Sequence, residues 1–219
     1  MREPDVGTEY SRDRPIEPAR TALLTIDVQN ATYSETEAET RPFFHAQANN
    51  IAIPNIARLQ EACRRAGIEV MFAVIENLTL DGRDRSLDYK ISGFNVPKGS
   101  WGAKVIDAIA PVGDEIVLPK TSSGLFNSTN FDYLLRNMSI DSVLVTGFLT
   151  DQCVDITVRD GADRGYYMTC VADACATESQ ARHDNALAAF KGYCRTVTTA
   201  EALALINAAA PAADGRSEP

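Results

Sequence analysis

Histidine is nearly missing from this sequence, with only His45 and His183 in 219 residues and a long separation between them. A three-histidine metal site is therefore impossible, and no H-E-x-x-H run is present. The five cysteines, Cys63, Cys153, Cys170, Cys175 and Cys194, include no C-x-x-C pair, which excludes a zinc ribbon and a thioredoxin motif. No G-x-G-x-x-G and no P-loop appears, so nucleotide binding lacks its usual sequence support. Basic excess is also absent. The 21 Lys and Arg face 30 Asp and Glu, a net charge of −9, and nucleic acid and anionic membranes both require the opposite sign. No apolar run approaches the roughly 18 residues of a membrane span. The first twenty residues are polar and punctuated by proline, with no apolar signal segment. The expectation is a cytoplasmic protein with reduced thiols, in which the N-x-S/T triplets at Asn77, Asn127 and Asn137 carry no glycan.

What the chain does have is a globular balance, 45% hydrophobic and 23% charged, at a length that buries about 70% of its unfolded surface in one domain. Short apolar runs rich in β-branched residues occur at Ala22–Ile26, Ile68–Ile75, Glu115–Leu118, Ser142–Thr146, Tyr166–Val171 and Arg195–Thr198. Their continuous apolarity suits strands covered on both faces of a parallel sheet. Helical patterns lie between them. Ala46–Ala66 ends at Gly67, Cys153–Arg164 at Gly165 and Ala181–Lys191 at Gly192, each a suitable residue just past a helix end. Gly102–Ile109, Asn130–Asn137 and Ala200–Ala208 complete the set. Alternation of this kind predicts an α/β sandwich with right-handed crossovers. Residues 1–20 read as an N-terminal arm, 21–208 as the domain and 209–219 as a flexible tail. The irregular stretch Asn77–Ser100 has the length of a functional lid.

In open parallel sheets ligands bind beyond the carboxyl ends of the strands. There the chain places Asp27 after the first strand, Lys120 after the third, and Cys153 after the fourth at the start of a helix capped by Thr150 or Asp151. Each alone has an ordinary reading: a turn or cap for Asp27, a solvated amine for Lys120, apolar packing for Cys153. Together they provide a base, a cation and a nucleophile. A helix start and a nearby ammonium favour a thiolate, which predicts a depressed thiol pKa at Cys153.

These residues also carry a resemblance. LLTIDVQN, KTSSGLFNSTNFDYLLRN and above all VTGFLTDQCVDITVRDGADRGY, with its G-x-x-T-x-x-C pattern, make the chain similar to cysteine hydrolases of the isochorismatase-like superfamily over Thr21 to Ala208. The resemblance implies a three-layer sandwich with a six-stranded parallel sheet and a catalytic triad of Asp27, Lys120 and Cys153. It also implies a non-proline cis peptide between Phe148 and Leu149, with the Leu149 and Cys153 N–H groups aimed at an oxyanion. A homo-oligomer, dimer or tetramer, is implied as well. Nicotinamidases of the family carry a D-x-H metal motif after strand two. Here Glu76-Asn77-Leu78 stands in its place with no histidine from there to His183, so neither a metal nor another cofactor is expected. Isochorismatases proper lack the nucleophilic cysteine. Cys153 therefore directs the expectation to a C–N amide or ureido bond in a small molecule, cleaved through a thioester. A vinyl-ether hydrolase and a non-enzymatic binding protein on the same fold remain the alternatives.

Several residues are candidates for binding substrate. Glu76 and Asn77 leave strand two at the same sheet edge, although Glu76 equally suits an ion pair with Lys120 or a loop arginine. Tyr33, Phe126 and Trp101 are candidate walls, with packing or a subunit contact the other reading for Trp101. Arg83, Arg85 and Lys90 suit either a carboxylate substrate or a solvated loop. His183, near a helix start, suits a cap, an interface or the site.

Overall fold

The computed structural model describes residues 10–34 and 36–210. Parts of the expected arm and tail, residues 1–9 and 211–219, lie outside the described residues. In chain order the elements are β1 (Thr21–Ile26), α1 (Glu37–Thr40), α2 (Pro42–Gln47), α3 (Ile53–Ala66), β2 (Glu69–Ile75) and α4 (Leu87–Ile91). They continue with β3 (Ile116–Lys120), α5 (Leu125–Ser128), α6 (Phe131–Asn137), β4 (Ser142–Phe148), α7 (Asp155–Asp163), β5 (Tyr167–Ala176), α8 (Gln180–Phe190), β6 (Arg195–Val197) and α9 (Thr199–Ala209). The six strands form one all-parallel sheet in the order β3-β2-β1-β4-β5-β6.

Every residue of β1 is buried, so its side chains feed two cores by simple alternation. Leu23 joins Phe72, Leu144 and Val171 beneath Ile56 and Leu59 of α3 and Ile206 of α9. Leu24 and Ile26 join Met71, Val143 and Val145 beneath Phe131 and Leu135 of α6, Val158 of α7 and Phe190 of α8. The expected three layers are present.

The elements differ from the sequence reading where specific hydrogen bonds, local or distant, override periodicity. The helix expected over Ala46–Ala66 starts earlier, at Pro42, and passes through a π turn at Ala48–Ala52 just before Pro54, whose missing N–H such a turn accommodates. Gly102–Ile109 is not a helix. It forms two 3₁₀ turns, Trp101–Ala103 and Asp107–Ile109, flanking a bridge from Val105 to Gln29. Its backbone pairs with the segment after β1 instead: Asn30 N–H donates to Lys104 O at 3.0 Å, Ala31 N–H to Gly102 O at 3.0 Å and Ile106 N–H to Val28 O at 3.3 Å. β5 extends beyond Val171 to Ala176 across a register shift opposite Gly147. The long loop contains α4, which starts at Ser86, whose hydroxyl accepts from Tyr89 N–H.

Residues 10–20 lie against the molecule. Arg14 and Arg20 both pair with Asp141, the former at 3.3 Å, and the Arg14 guanidinium sits 4.2 Å above the Tyr167 ring. Among the described residues no helix is long and apolar enough to cross a membrane.

Candidate active site

The strand order reverses between β1 and β4, and at such a switch point two loops diverge and open a crevice at the carboxyl edge. Asp27 leaves β1 there. It is a non-glycine residue in the left-handed region, at φ 57°, which is sparsely populated and needs enforcement by its surroundings. Asp27 N–H donates to Ala73 O at 2.8 Å, and its carbonyl accepts from the Thr32 hydroxyl. Two residues on, the fully buried Gln29 imitates a strand residue. Its Oε1 accepts from Ile75 N–H at 2.5 Å, and its Nε2 donates to Ile75 O at 2.8 Å and Gly102 O at 2.9 Å. The short polar motif after β1 is thereby fastened to β2, and the Asp27 carboxylate is turned inward.

Lys120 closes β3 opposite Ile75 and is wholly buried. Its Nζ lies 2.9 Å from Asp27 Oδ2, 3.5 Å from Cys153 Sγ, 3.3 Å from the Tyr89 hydroxyl and 3.1 Å from Ser122 O. Both Asp27 oxygens are buried, and Oδ2 is in ion-pair contact with the Lys120 ammonium.

Cys153 follows β4 in a π turn, Thr150–Val154, whose cap is Leu149 rather than the expected Thr150 or Asp151. The Leu149 carbonyl accepts from Gln152 N–H at 3.0 Å and Val154 N–H at 3.3 Å, the residues on either side of Cys153. The Phe148–Leu149 peptide is cis, at the expected position. Just before it, Gly147 has φ 113°, and an added Cβ would lie 2.1 Å from Ile26 O, so β1 and β4 approach here only because the side chain is missing.

The protonation pattern corrects one expectation. The Cys153 thiol is not depressed but pushed up to about 12, by burial first and by the Asp27 carboxylate second, against the opposing influence of Lys120. Burial also raises Asp27, with Lys120 opposing. Burial disfavours the Lys120 ammonium, yet Asp27, Cys153 and Tyr89 together carry its pKa above the ordinary range. The resting site is an Asp27–Lys120 ion pair beside a neutral thiol. A helix start cannot outweigh desolvation and an adjacent carboxylate.

Asp27 and Cys153 face a cavity of about 420 Å³, with Lys120 buried behind them; the wall also includes Ala31, Thr32, Glu37, Arg41, Phe44, Ile75, Asp88, Tyr89, Ser92, Phe94, Ser123, Phe148, Leu149 and Gln152. The five candidate binding residues are not among them. Glu76 points to the opposite side of β2 from Ile75, where it accepts from Gly99 N–H at 2.6 Å and lines a separate cavity. Asn77 is buried, with its Nδ2 donating to Asn95 at 2.8 Å, and pins the loop. Tyr33 donates to Asn49 at 2.9 Å and stacks on His45. Phe126 packs between Phe131 and Tyr166 in the core. Trp101 is exposed, its carbonyl accepting from Asn30. Arg83 pairs with Asp81, Arg85 donates to Gly82 O and Phe94 O, and Lys90 donates to Arg83 O, so these three brace the loop. His183 shares a 2.9 Å hydrogen bond with Thr150 in a second cavity of about 250 Å³.

Sequence reading overlooked most of the wall, including Tyr89, Ser123, Gln152, Arg41, Glu37 and Asp88. Tyr89 had one local signal, the Ser86 cap that starts α4 and buries the tyrosine beneath it. Among the described residues, no group of three His, Cys, Asp or Glu side chains is arranged to hold a metal.

Residues 21–202 match the isochorismatase domain family. A ureidoacrylate amidohydrolase, RutB, of Pseudomonas savastanoi pv. phaseolicola is 32% identical over 187 residues, covering 75% of this chain and 75% of the relative. Among solved structures, a cysteine hydrolase from Pseudomonas syringae pv. phaseolicola superposes with a TM-score of 0.78 at 25% identity, over 90% of this chain and 96% of that one. N-carbamoylsarcosine amidase from Thermoplasma acidophilum gives 0.67 at 26% identity, over 82% and 96%. The chain belongs to the isochorismatase family.

Proposed function

We propose that this member of the isochorismatase family hydrolyses a C–N bond in a small linear amide or ureido compound, with Cys153 as the nucleophile. The observation that carries the reading is the convergence of a neutral thiol and a buried carboxylate on the wall of one cavity, with a buried ammonium in contact with both. The relatives named as an amidohydrolase and an amidase support the same bond class.

In the first half-reaction Asp27 accepts the Cys153 proton as sulfur attacks the carbonyl carbon, which avoids a free thiolate in the resting enzyme. Lys120 balances negative charge as it moves from carboxylate to sulfur and on to oxygen. The N–H groups of Leu149 and Cys153 are the candidate oxyanion donors, each contributing about 3 kcal/mol in sites of this kind. The tetrahedral intermediate then breaks its C–N bond, and Asp27 returns the proton to the departing nitrogen, leaving a thioester. In the second half-reaction Asp27 takes a proton from water as it attacks the thioester, and the thiol is restored.

Ammonia release across a panel of ureas, carbamoyl compounds and short amides identifies substrates. On any compound the native enzyme cleaves, Cys153→Ser and Asp27→Asn are expected to fall well below about a tenth of native turnover, because an oxygen nucleophile is far less ionised and an amide is no base. Retention above that level by either variant contradicts the mechanism.

A further inference from the structure

The charged side chains on the cavity wall are mostly acidic. Asp27, Glu37 and Asp88 are acidic and Arg41 alone is basic among the charged side chains on the described wall. Asp27 is offset by Lys120 behind it. Arg41 is not free to bind an anion. Its Nε donates to Glu178 at 2.8 Å, its Nη2 lies 2.6 Å from the same carboxylate, and its Nη1 donates to Glu37 at 3.1 Å. The guanidinium face is covered by Phe44 at 4.1 Å. Asp88, exposed at the start of α4, has no ion-pair partner among the described residues. Of the loop cations, Arg83 pairs with Asp81, whereas Arg85 and Lys90 donate to backbone carbonyls and keep their charge; none of the three lines the wall. Net negative charge around a crevice concentrates cations and repels anions.

We propose that this site selects neutral or cationic amides and ureas and rejects those bearing a carboxylate, with Asp88 as a specificity-determining residue at the mouth. The inference rests on the hydrolytic reading above. It separates this chain from its amidohydrolase relative, whose named substrate, ureidoacrylate, is a carboxylate.

The test reads charge at Cys153 independently of turnover. Rates of disulfide formation with the cationic 2-aminoethyl and anionic 2-sulfonatoethyl methanethiosulfonates are measured at Cys153 by peptide mapping, each normalised to 2-mercaptoethanol. The cation is expected to be favoured by about tenfold in low salt, with the preference shrinking at about 0.5 M salt. In Asp88→Asn it is expected to drop by about threefold. Equal rates, or an advantage for the anion, overturn the proposal, and a preference that ignores Asp88→Asn removes that residue's role. A matched substrate series of 3-ureidopropionate, propylurea and 3-aminopropylurea supplies the second arm. The carboxylate is expected to have the lowest kcat/KM by about tenfold, and its being the best substrate overturns the proposal. If none is hydrolysed while the probe preference holds, the hydrolytic reading falls on this series and the charge selection stands.

Discussion

One proton at this site has two buried places to sit, the sulfur of Cys153 and the carboxylate of Asp27, and the ammonium of Lys120 decides between them. Because Lys120 touches Asp27 at 2.9 Å and sulfur at 3.5 Å, the carboxylate is the better stabilised anion and the thiol keeps the proton. The sign of the pH dependence follows. Asp27 works only as the anion and its pKa is raised, so kcat/KM falls as pH drops through a midpoint above the ordinary carboxylate value of about 3.9. On the alkaline side Lys120 stays charged, its pKa being raised as well, so no loss from that group is expected up to about pH 10, its unperturbed range. Iodoacetamide should modify Cys153 slowly at neutral pH and faster only as pH rises toward 12. Rapid modification at pH 6 would show a resting thiolate instead. The three central residues were legible because each stands at the carboxyl end of a strand. Glu76 was misplaced by one step of strand alternation: Ile75 faces the cavity, so its neighbour faces away.

At the scale of elements, the approach of β1 to β4 holds the nucleophile turn against the base. Register Ile26↔Gly147 places the last residues of the two strands side by side, and the contact depends on a missing Cβ. Gly147→Ala combines a clash with backbone at 2.1 Å and a φ of 113° that alanine rarely adopts. It is expected to lower stability by more than about 3 kcal/mol in urea unfolding, while Gly113→Ala, at a turn with φ 64° and no atom nearby, costs about 1 kcal/mol. Equal losses would remove the strand contact as the cause. The strands were readable from their apolar runs within about two residues at each end, except β5, which runs on past Val171 to Ala176. The two 3₁₀ turns of 101–109 were not, because their backbone partners lie in the segment after β1, some seventy residues earlier, and no local pattern reports that pairing. Both π turns were also invisible, since widening by one residue leaves hydrophobic spacing almost unchanged.

Over the whole molecule, the strand order with its reversal between β1 and β4 brings distant sequence motifs to one crevice, and the same burial that builds the cores governs stability at high pH. Burial pushes the Cys63 thiol up to about 12 and the Cys194 thiol up to about 11. Their ordinary value is about 8.5, so the fold holds both protonated where the unfolded chain would ionise them. That contribution is complete below the unfolded value and is lost as pH rises toward the folded ones. Tm is accordingly expected to hold to about pH 8 and to decline between about pH 9 and 11, with a smaller decline in Cys63→Ala once its lower starting stability is subtracted. A Tm that is flat across that range would rule out buried thiols as a source of stability.

The covalent role of Cys153 is tested most directly by rapid-mixing acid quench with enzyme in excess over a cleaved substrate, followed by peptide mapping. The account predicts that the peptide containing Cys153 gains the mass of the substrate's acyl group in step with release of the nitrogen product, and loses it as the acid product appears. Complete conversion of substrate with Cys153 free of that mass at every time point would contradict it.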